Sequence, residues 1–316
     1  MAKKRVIITD YLHSYLADWL HSQGYQVDVQ PDITNEGLAE VIDNYHGLAL
    51  STKIKVTPTL IDKATQLEFI ARAGSGMENI DVAYAKSKGI HVVNSPEGNA
   101  NAVAEHALGL LLSVLNNISR ADRDIRAGVW QREENRGFEL MGRTVGIIGY
   151  GHTGSAFAQK LRGMGVYVLA HDKYIAGFGD ENVEEVSMEQ IQLECDVISF
   201  HLPLNPETMH YCNAAFLAKC RPGIWLINTS RGKIVNTSDL MEALDSGKVR
   251  GAGLDVFENE QFYTLAGKDK EQMEELCRRQ NIVLTPHVAG WTVESYLKLS
   301  KILAEKLGAL GLSATM

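Results

Sequence analysis

The sequence predicts an α/β protein made of two parallel-sheet units, and three observations point that way. Short β-like runs alternate along the chain with amphipathic helical stretches. A glycine motif at Gly149–Gly154 lies between a strand-like run and a helix-like run, well inside the chain. With 316 residues there is length for two cores, and 45% hydrophobic with 22% charged residues is ordinary globular composition.

The first unit opens on Val6-Ile7-Ile8, read as a buried strand. The residues before it are basic, yet only three apolar residues follow, too few for a signal-peptide core. Further strands are expected at Gln26–Val29, Gly47–Leu50, Glu68–Ala71 and His91–Asn94, with helices such as Ser14–Gln23 and Pro58–Ala64 between them. The unit ends near Pro96. A long helix from about Asn101 to Ile118 is apolar over most of its surface, so it belongs at a domain or subunit boundary. The second unit starts at Arg143-Thr-Val-Gly-Ile-Ile-Gly149, with strands expected at Val166–Ala170, Asp196–His201, Gly223–Asn228, Gly253–Val256 and Ile282–Thr285.

Composition excludes some classes of function. A net charge of −8 argues against a broad nucleic-acid-binding face, and no apolar run is long enough to span a bilayer. Cys195, Cys212, Cys220 and Cys277 show no CxxC spacing and no histidine pattern, which reads as reduced thiols in a cytoplasmic protein without a metal site.

The motif Gly149-Tyr150-Gly151-His152-Thr153-Gly154 is the strongest local signal. Gly149 permits a tight turn, Gly151 lets a pyrophosphate approach the backbone, and Gly154 lets the helix pack on the strand. Asp172, at the end of the next strand, can accept hydrogen bonds from ribose hydroxyls and repel the extra phosphate of NADP, which favours NAD. Lys173 beside it works the other way.

Beyond this motif the chain resembles the D-isomer-specific 2-hydroxyacid dehydrogenases, in particular their phosphoglycerate dehydrogenase-like branch. The resemblance runs through Arg72-Ala-Gly-Ser-Gly-Met-Glu-Asn-Ile-Asp81, Asn99-Ala-Asn-Ala-Val-Ala-Glu-His106, Asn228-Thr-Ser-Arg-Gly232, Gly253-Leu-Asp-Val-Phe-Glu-Asn-Glu260 and Leu284-Thr-Pro-His-Val-Ala-Gly290. It implies two similar Rossmann-like or flavodoxin-like domains with a cleft between them. Residues 1–99 with 289–316 would form the substrate domain, to which the last helix, Val293–Leu307, returns. Residues 100–288 would form the NAD-binding domain and carry a homodimer contact. The serine-sensing regulatory domain of some relatives is not expected.

Hydride transfer at a secondary alcohol asks for a proton acceptor, a cation for the carboxylate and a placed nicotinamide. The resemblance implies His287 as acid–base, Glu260 as its carboxylate partner and Arg231 as the carboxylate grip. Taken singly, His287 reads as a structural strand-end residue, Glu260 with Glu258 as a solvated acidic face, and Arg231-Gly232 as a turn. Their joint occurrence in the family's order favours the catalytic reading. The resemblance further implies His201, Pro203, Thr208, Thr229, Ser230, Asp255 and Gly290 as cofactor contacts, with Asp255 against the nicotinamide or else capping a turn. Ser75 and Gly76 would offer backbone amides to the substrate, and Thr52 and Lys53 lie on a loop directed at it. The expected reaction is NAD-dependent oxidation of a small 2-hydroxy acid, with 3-phosphoglycerate among the candidates. The alternative is a non-catalytic NADH sensor of corepressor type. The chain departs from the family where Ser51-Thr52-Lys53 replaces an arginine-bearing loop, where Gln261 replaces proline before a longer stretch to Gln280, and at Thr153 and Trp291.

Overall fold

A computed structural model describes residues 3–315; the expected first domain also includes Met1, Ala2 and Met316, which lie outside the described residues. The chain divides into two units, Met1–Ala100 with Trp291–Met316, and Asn101–Gly290.

The first unit holds β1 (Arg5–Ile8), β2 (Gln26–Val29), β3 (Gly47–Leu50), β4 (Phe69–Arg72) and β5 (His91–Asn94). They form one parallel sheet in the order β2-β1-β3-β4-β5, the flavodoxin-like arrangement. Alternate residues serve opposite faces. Ile7, Leu48, Leu50 and Ile70 join one core, while Val6, Ile8, Ala49 and Phe69 join the other. The second core is completed by Leu299, Leu303 and Leu307 of the helix Val293–Ala309, which begins on a capping box between Thr292 and Ser295. Lys306 then donates to Asn94 O at 2.9 Å and pairs with Glu97 at 2.8 Å, holding the end of the chain on this unit.

The second unit holds β6 (Thr144–Ile148), β7 (Tyr167–His171), β8 (Glu184–Glu185), β9 (Val197–Phe200), β10 (Ile224–Asn228), β11 (Val249–Leu254) and β12 (Ile282–Leu284). All pair in parallel, in the order β12-β11-β10-β9-β6-β7-β8, the Rossmann-like pattern. The chain leaves β6 toward β7 and β8, then returns to place β9 on the other side. That reversal opens a crevice at the carboxyl ends of β6 and β9. Both faces of the sheet are covered, so the strands read as near-continuous apolar runs.

Apart from the unexpected short β8 and small shifts at several element ends, two elements differ from expectation. The long helix stops at Leu115 rather than Ile118, because Asn117 takes a left-handed conformation (φ 54°) and a new helix, Ile118–Arg126, departs at 64°. Strand β11 starts at Val249, four residues before the expected Gly253. Its glycines hid it: a Cβ on Gly251 would lie 2.8 Å from Val114 Cγ2, and one on Gly253 2.9 Å from Leu110 Cβ. The buried helix lies directly on this strand and leaves no room for side chains. Among the described residues no single helix is long and apolar enough to cross a membrane.

Leu303 is fully buried. Leu303→Ala should destabilise the first unit by about 2–5 kcal/mol, read from the shift of its denaturant midpoint. A shift within error would mean that the C-terminal helix adds nothing to that core.

Candidate active site

The glycine motif follows β6, and the helix His152–Leu161 begins within it. Gly149 has φ +92°, and a Cβ there would sit 2.4 Å from His201 O. A Cβ on Gly154 would sit 2.0 Å from Gly149 O. The protein's own packing therefore requires both glycines. Gly151 is different, since a Cβ there would meet nothing within 4 Å. The missing side chain leaves open space at the amide-bearing start of a helix, where a pyrophosphate fits. His152 and Thr153 stand in the first turn of that helix, His152 exposed and Thr153 half-buried.

Asp172 follows β7 beside this loop. Burial pushes its carboxyl up, but three backbone N–H groups outweigh that and hold it below the usual range. They come from Tyr174 at 2.8 Å, Tyr150 at 2.8 Å and Ile175 at 3.0 Å. A charged carboxylate is thus fixed next to the motif. His201, after β9, gives its Nε2 to a 2.8 Å hydrogen bond with Ser199 Oγ and packs on the Phe157 ring. Burial lowers its pKa to about 3, so the ring is neutral. Its Nδ1, and Thr229 Oγ1 after β10, are buried polar atoms without a protein partner. Such atoms are rare unless a ligand or water completes them. With the open face of Gly151, they fit a dinucleotide lying along the carboxyl edge of this sheet. Thr208 Oγ1 donates to Pro203 O at 2.6 Å and shapes the loop after β9.

A second group of residues gathers where the loops after β10, β11 and β12 meet. Asn228 accepts from Ser230 N at 3.1 Å and Ser230 Oγ at 2.8 Å, and donates to Arg231 O at 3.0 Å. Gly232 lies so close to the next loop that a Cβ would be 1.8 Å from Phe257 O. This close approach sets Arg231 beside the segment bearing Glu260. A cavity of about 650 Å³ is lined there by Arg231, Glu260 and His287, with Leu204, Phe257 and Met273.

His287 Nδ1 is 2.8 Å from Glu260 Oε2. That hydrogen bond raises the imidazole pKa, against burial and the Arg231 charge, which lower it; the Glu260 charge also raises it. Of the two glutamates in the loop, Glu258 is engaged elsewhere, with His210 Nε2 at 2.7 Å and Thr237 N at 2.7 Å. The long stretch after Gln261 folds as a short turn and the helix Gly267–Arg278, and it leaves the Glu260–His287 bond intact.

His287 has φ 54°, a left-handed conformation that costs a non-glycine residue about 1–2 kcal/mol. Asp255 explains how it is held. The resemblance sets Asp255 against the nicotinamide; the structure buries it completely and engages both its oxygens in the turn. Oδ1 accepts from Thr285 Oγ1 at 2.6 Å and Val288 N at 2.9 Å, and Oδ2 from Ala289 N at 2.8 Å. The Asp255 carbonyl accepts from His287 N at 2.7 Å. Gly290 follows directly. Asp255 therefore anchors the backbone of the turn that carries His287. Sequence reasoning missed His106 and Thr285, which join this network through a 2.9 Å contact between His106 Nε2 and Thr285 Oγ1. Both lie inside motifs already singled out, so their signal was position in the motif rather than residue type.

The remaining candidates belong to the first unit. Ser75 Oγ donates to Asn99 Oδ1 at 2.9 Å and Ser75 O accepts from Asn94 Nδ2 at 2.7 Å, while Gly74 N donates to Ser95 Oγ at 3.1 Å. The loop carrying Ser75 and Gly76 is thus pinned by side chains, with both residues partly exposed. Thr52 is exposed, and the Lys53 amine donates to Pro31 O.

Residues 108–289 match the family model described as "D-isomer specific 2-hydroxyacid dehydrogenase, NAD binding domain". The chain is 35% identical over 307 residues to a hydroxypyruvate reductase of Thermotoga maritima, covering 97% of this chain and 98% of that protein. It is 32% identical over 308 residues to a D-3-phosphoglycerate dehydrogenase of Archaeoglobus fulgidus, covering 96% of this chain and 56% of the relative. The chain thus spans about half the length of the phosphoglycerate dehydrogenases it matches. A D-lactate dehydrogenase from Aquifex aeolicus, solved with NAD and lactic acid, superposes with a TM-score of 0.83 at 27% identity, covering 98% and 95% of the two chains.

Replacing Glu260 by Gln removes the carboxylate that raises His287. The His287 pKa should fall, which NMR titration of the ring can follow, with His287→Ala identifying the signal. A pKa that stays put or rises would show that Glu260 does not set the proton affinity of the imidazole.

Proposed function

Because the chain belongs to the D-isomer specific 2-hydroxyacid dehydrogenase family, we propose that it is an NAD-dependent oxidoreductase acting at C2 of a small 2-hydroxy or 2-oxo acid. The 2.8 Å hydrogen bond of His287 to Glu260, in one cavity with Arg231, carries this reading.

The dinucleotide supplies the hydride in reduction and accepts it in oxidation. Gly149, Gly151, Gly154 and the start of the following helix hold its pyrophosphate, and Asp172 takes the adenosine ribose. Thr229, Ser230 and the neutral His201 line its path along the sheet edge. His287 manages the proton. With Nδ1 on Glu260, Nε2 is the working nitrogen: protonated, it gives its proton to the C2 oxygen in reduction, and neutral, it takes the hydroxyl proton in oxidation. The raised pKa keeps the protonated form present at higher pH, which suits reduction near neutrality. Arg231 grips the carboxylate and polarises the C2 carbonyl.

For the substrate, we favour an unphosphorylated acid ahead of 3-phosphoglycerate. Similarity along the full length of a protein named hydroxypyruvate reductase supports the same choice. The exposed Ile118, Ile125, Val129, Trp130 and Met141 of the second unit support a homodimer through that unit. Four free cysteines, three of them buried, suit the reducing cytoplasm.

His287→Ala should lower turnover by about two to four orders of magnitude while NADH affinity stays near normal. Turnover that survives the change removes His287 from the mechanism. A panel of 2-oxo acids with NADH, followed at the nicotinamide absorbance, should show hydroxypyruvate or glyoxylate consumed ahead of 3-phosphohydroxypyruvate. Consumption of none of them would leave NADH sensing as the better account.

A further inference from the structure

Lys173 and Tyr174 follow Asp172 in the loop after β7, whereas Glu207 lies in the loop after β9. Lys173 Nζ is 2.6 Å from Glu207 Oε2, and Tyr174 Oη donates to the same oxygen at 2.8 Å. In the sheet, β7 and β9 flank β6. The contact therefore bridges two loops across the end of the strand that carries the glycine motif. Glu207 is held at its stem, because Asn205 Oδ1 accepts from Glu207 N at 2.9 Å and Thr208 N at 3.0 Å.

We propose that Glu207 is a cofactor-selecting residue: by engaging Lys173, it withholds from a ribose 2′-phosphate the cation that stands next to Asp172. The inference rests on reading the Gly149–Gly154 loop as a dinucleotide site, and it adds a second determinant to Asp172. Asp172 alone repels a 2′-phosphate, but an available Lys173 would cancel that repulsion and offer a charged hydrogen bond in its place. With Glu207 paired to Lys173, the three side chains carry one net negative charge. Without Glu207 they carry none. The pair is solvent-exposed on both sides, at 61% and 57%, so it contributes little to stability, and its removal leaves the fold intact. Its effect belongs to ligand choice.

The test titrates the full chain, Glu207→Gln and the double variant Glu207→Gln/Lys173→Ala with NADH and NADPH, following reduced-nicotinamide fluorescence. We expect Glu207→Gln to tighten NADPH binding roughly tenfold at low salt and to move NADH by less than about twofold. The gain should vanish in the double variant. An unchanged ratio of NADPH to NADH affinity in Glu207→Gln, or a gain that persists without Lys173, overturns the inference. Failure of the unaltered chain to bind either dinucleotide overturns the dinucleotide reading instead.

Discussion

The buried carboxylate of Asp255 is the constraint on which the candidate site depends. A carboxylate with no exposure is tolerated only where fixed donors replace its water. Here the donors are Thr285 Oγ1, Val288 N and Ala289 N, all in the turn that holds His287. The exchange works in both directions. The turn satisfies the carboxylate, and the carboxylate braces the turn in which His287 has its left-handed backbone. Asp255 closes β11, and Glu260 lies further along the same loop. One strand end therefore supplies both the anchor of the histidine's backbone and the partner of its ring.

Parallel topology explains why so many of these residues meet. Every strand of the second sheet runs the same way, so the loops after β6, β7, β9, β10, β11 and β12 emerge at one edge. Local packing then refines their spacing. Gly232 against Phe257 brings the β10 loop onto the β11 loop, and the 2.4 Å separation a Gly149 Cβ would have from His201 O shows the same closeness between β6 and β9. Residues far apart in sequence become neighbours through strand order alone, as Lys173 and Glu207 do.

Much of this was legible beforehand, for physical reasons that differ by element. The strands of the first unit and the glycine motif are local signals, carried by apolar runs and by glycines where backbone geometry demands them. Arg231, Glu260 and His287 are not local signals. They were reached through the order of several motifs, which also singled out Glu260; the structure adds that Glu260 is bonded to His287 while Glu258 is bonded to His210. Strand β11 was read short because its glycines make room for Leu110 and Val114, a demand of tertiary packing that looks like a break in sequence. The helix break at Asn117 was missed because Ile118 extends the apolar pattern by one residue past Asn116-Asn117, where the left-handed backbone of Asn117 separates the two helices.

The two histidines at this edge show why residue type alone could not assign the chemistry. His201 and His287 both follow strands of the same sheet, yet their surroundings move them in opposite directions. Burial without a charged partner takes His201 down to about 3, so it carries no second proton at neutral pH and can offer only a neutral ring and the lone Nδ1. His287 is moved up by a carboxylate 2.8 Å away, and Arg231 lines the same cavity. A proton needed at a substrate oxygen can therefore come from His287 and not from His201. Under the proposed function, acid–base chemistry falls at the end of the edge where the β10, β11 and β12 loops meet, and the β6–β9 crevice is left to binding.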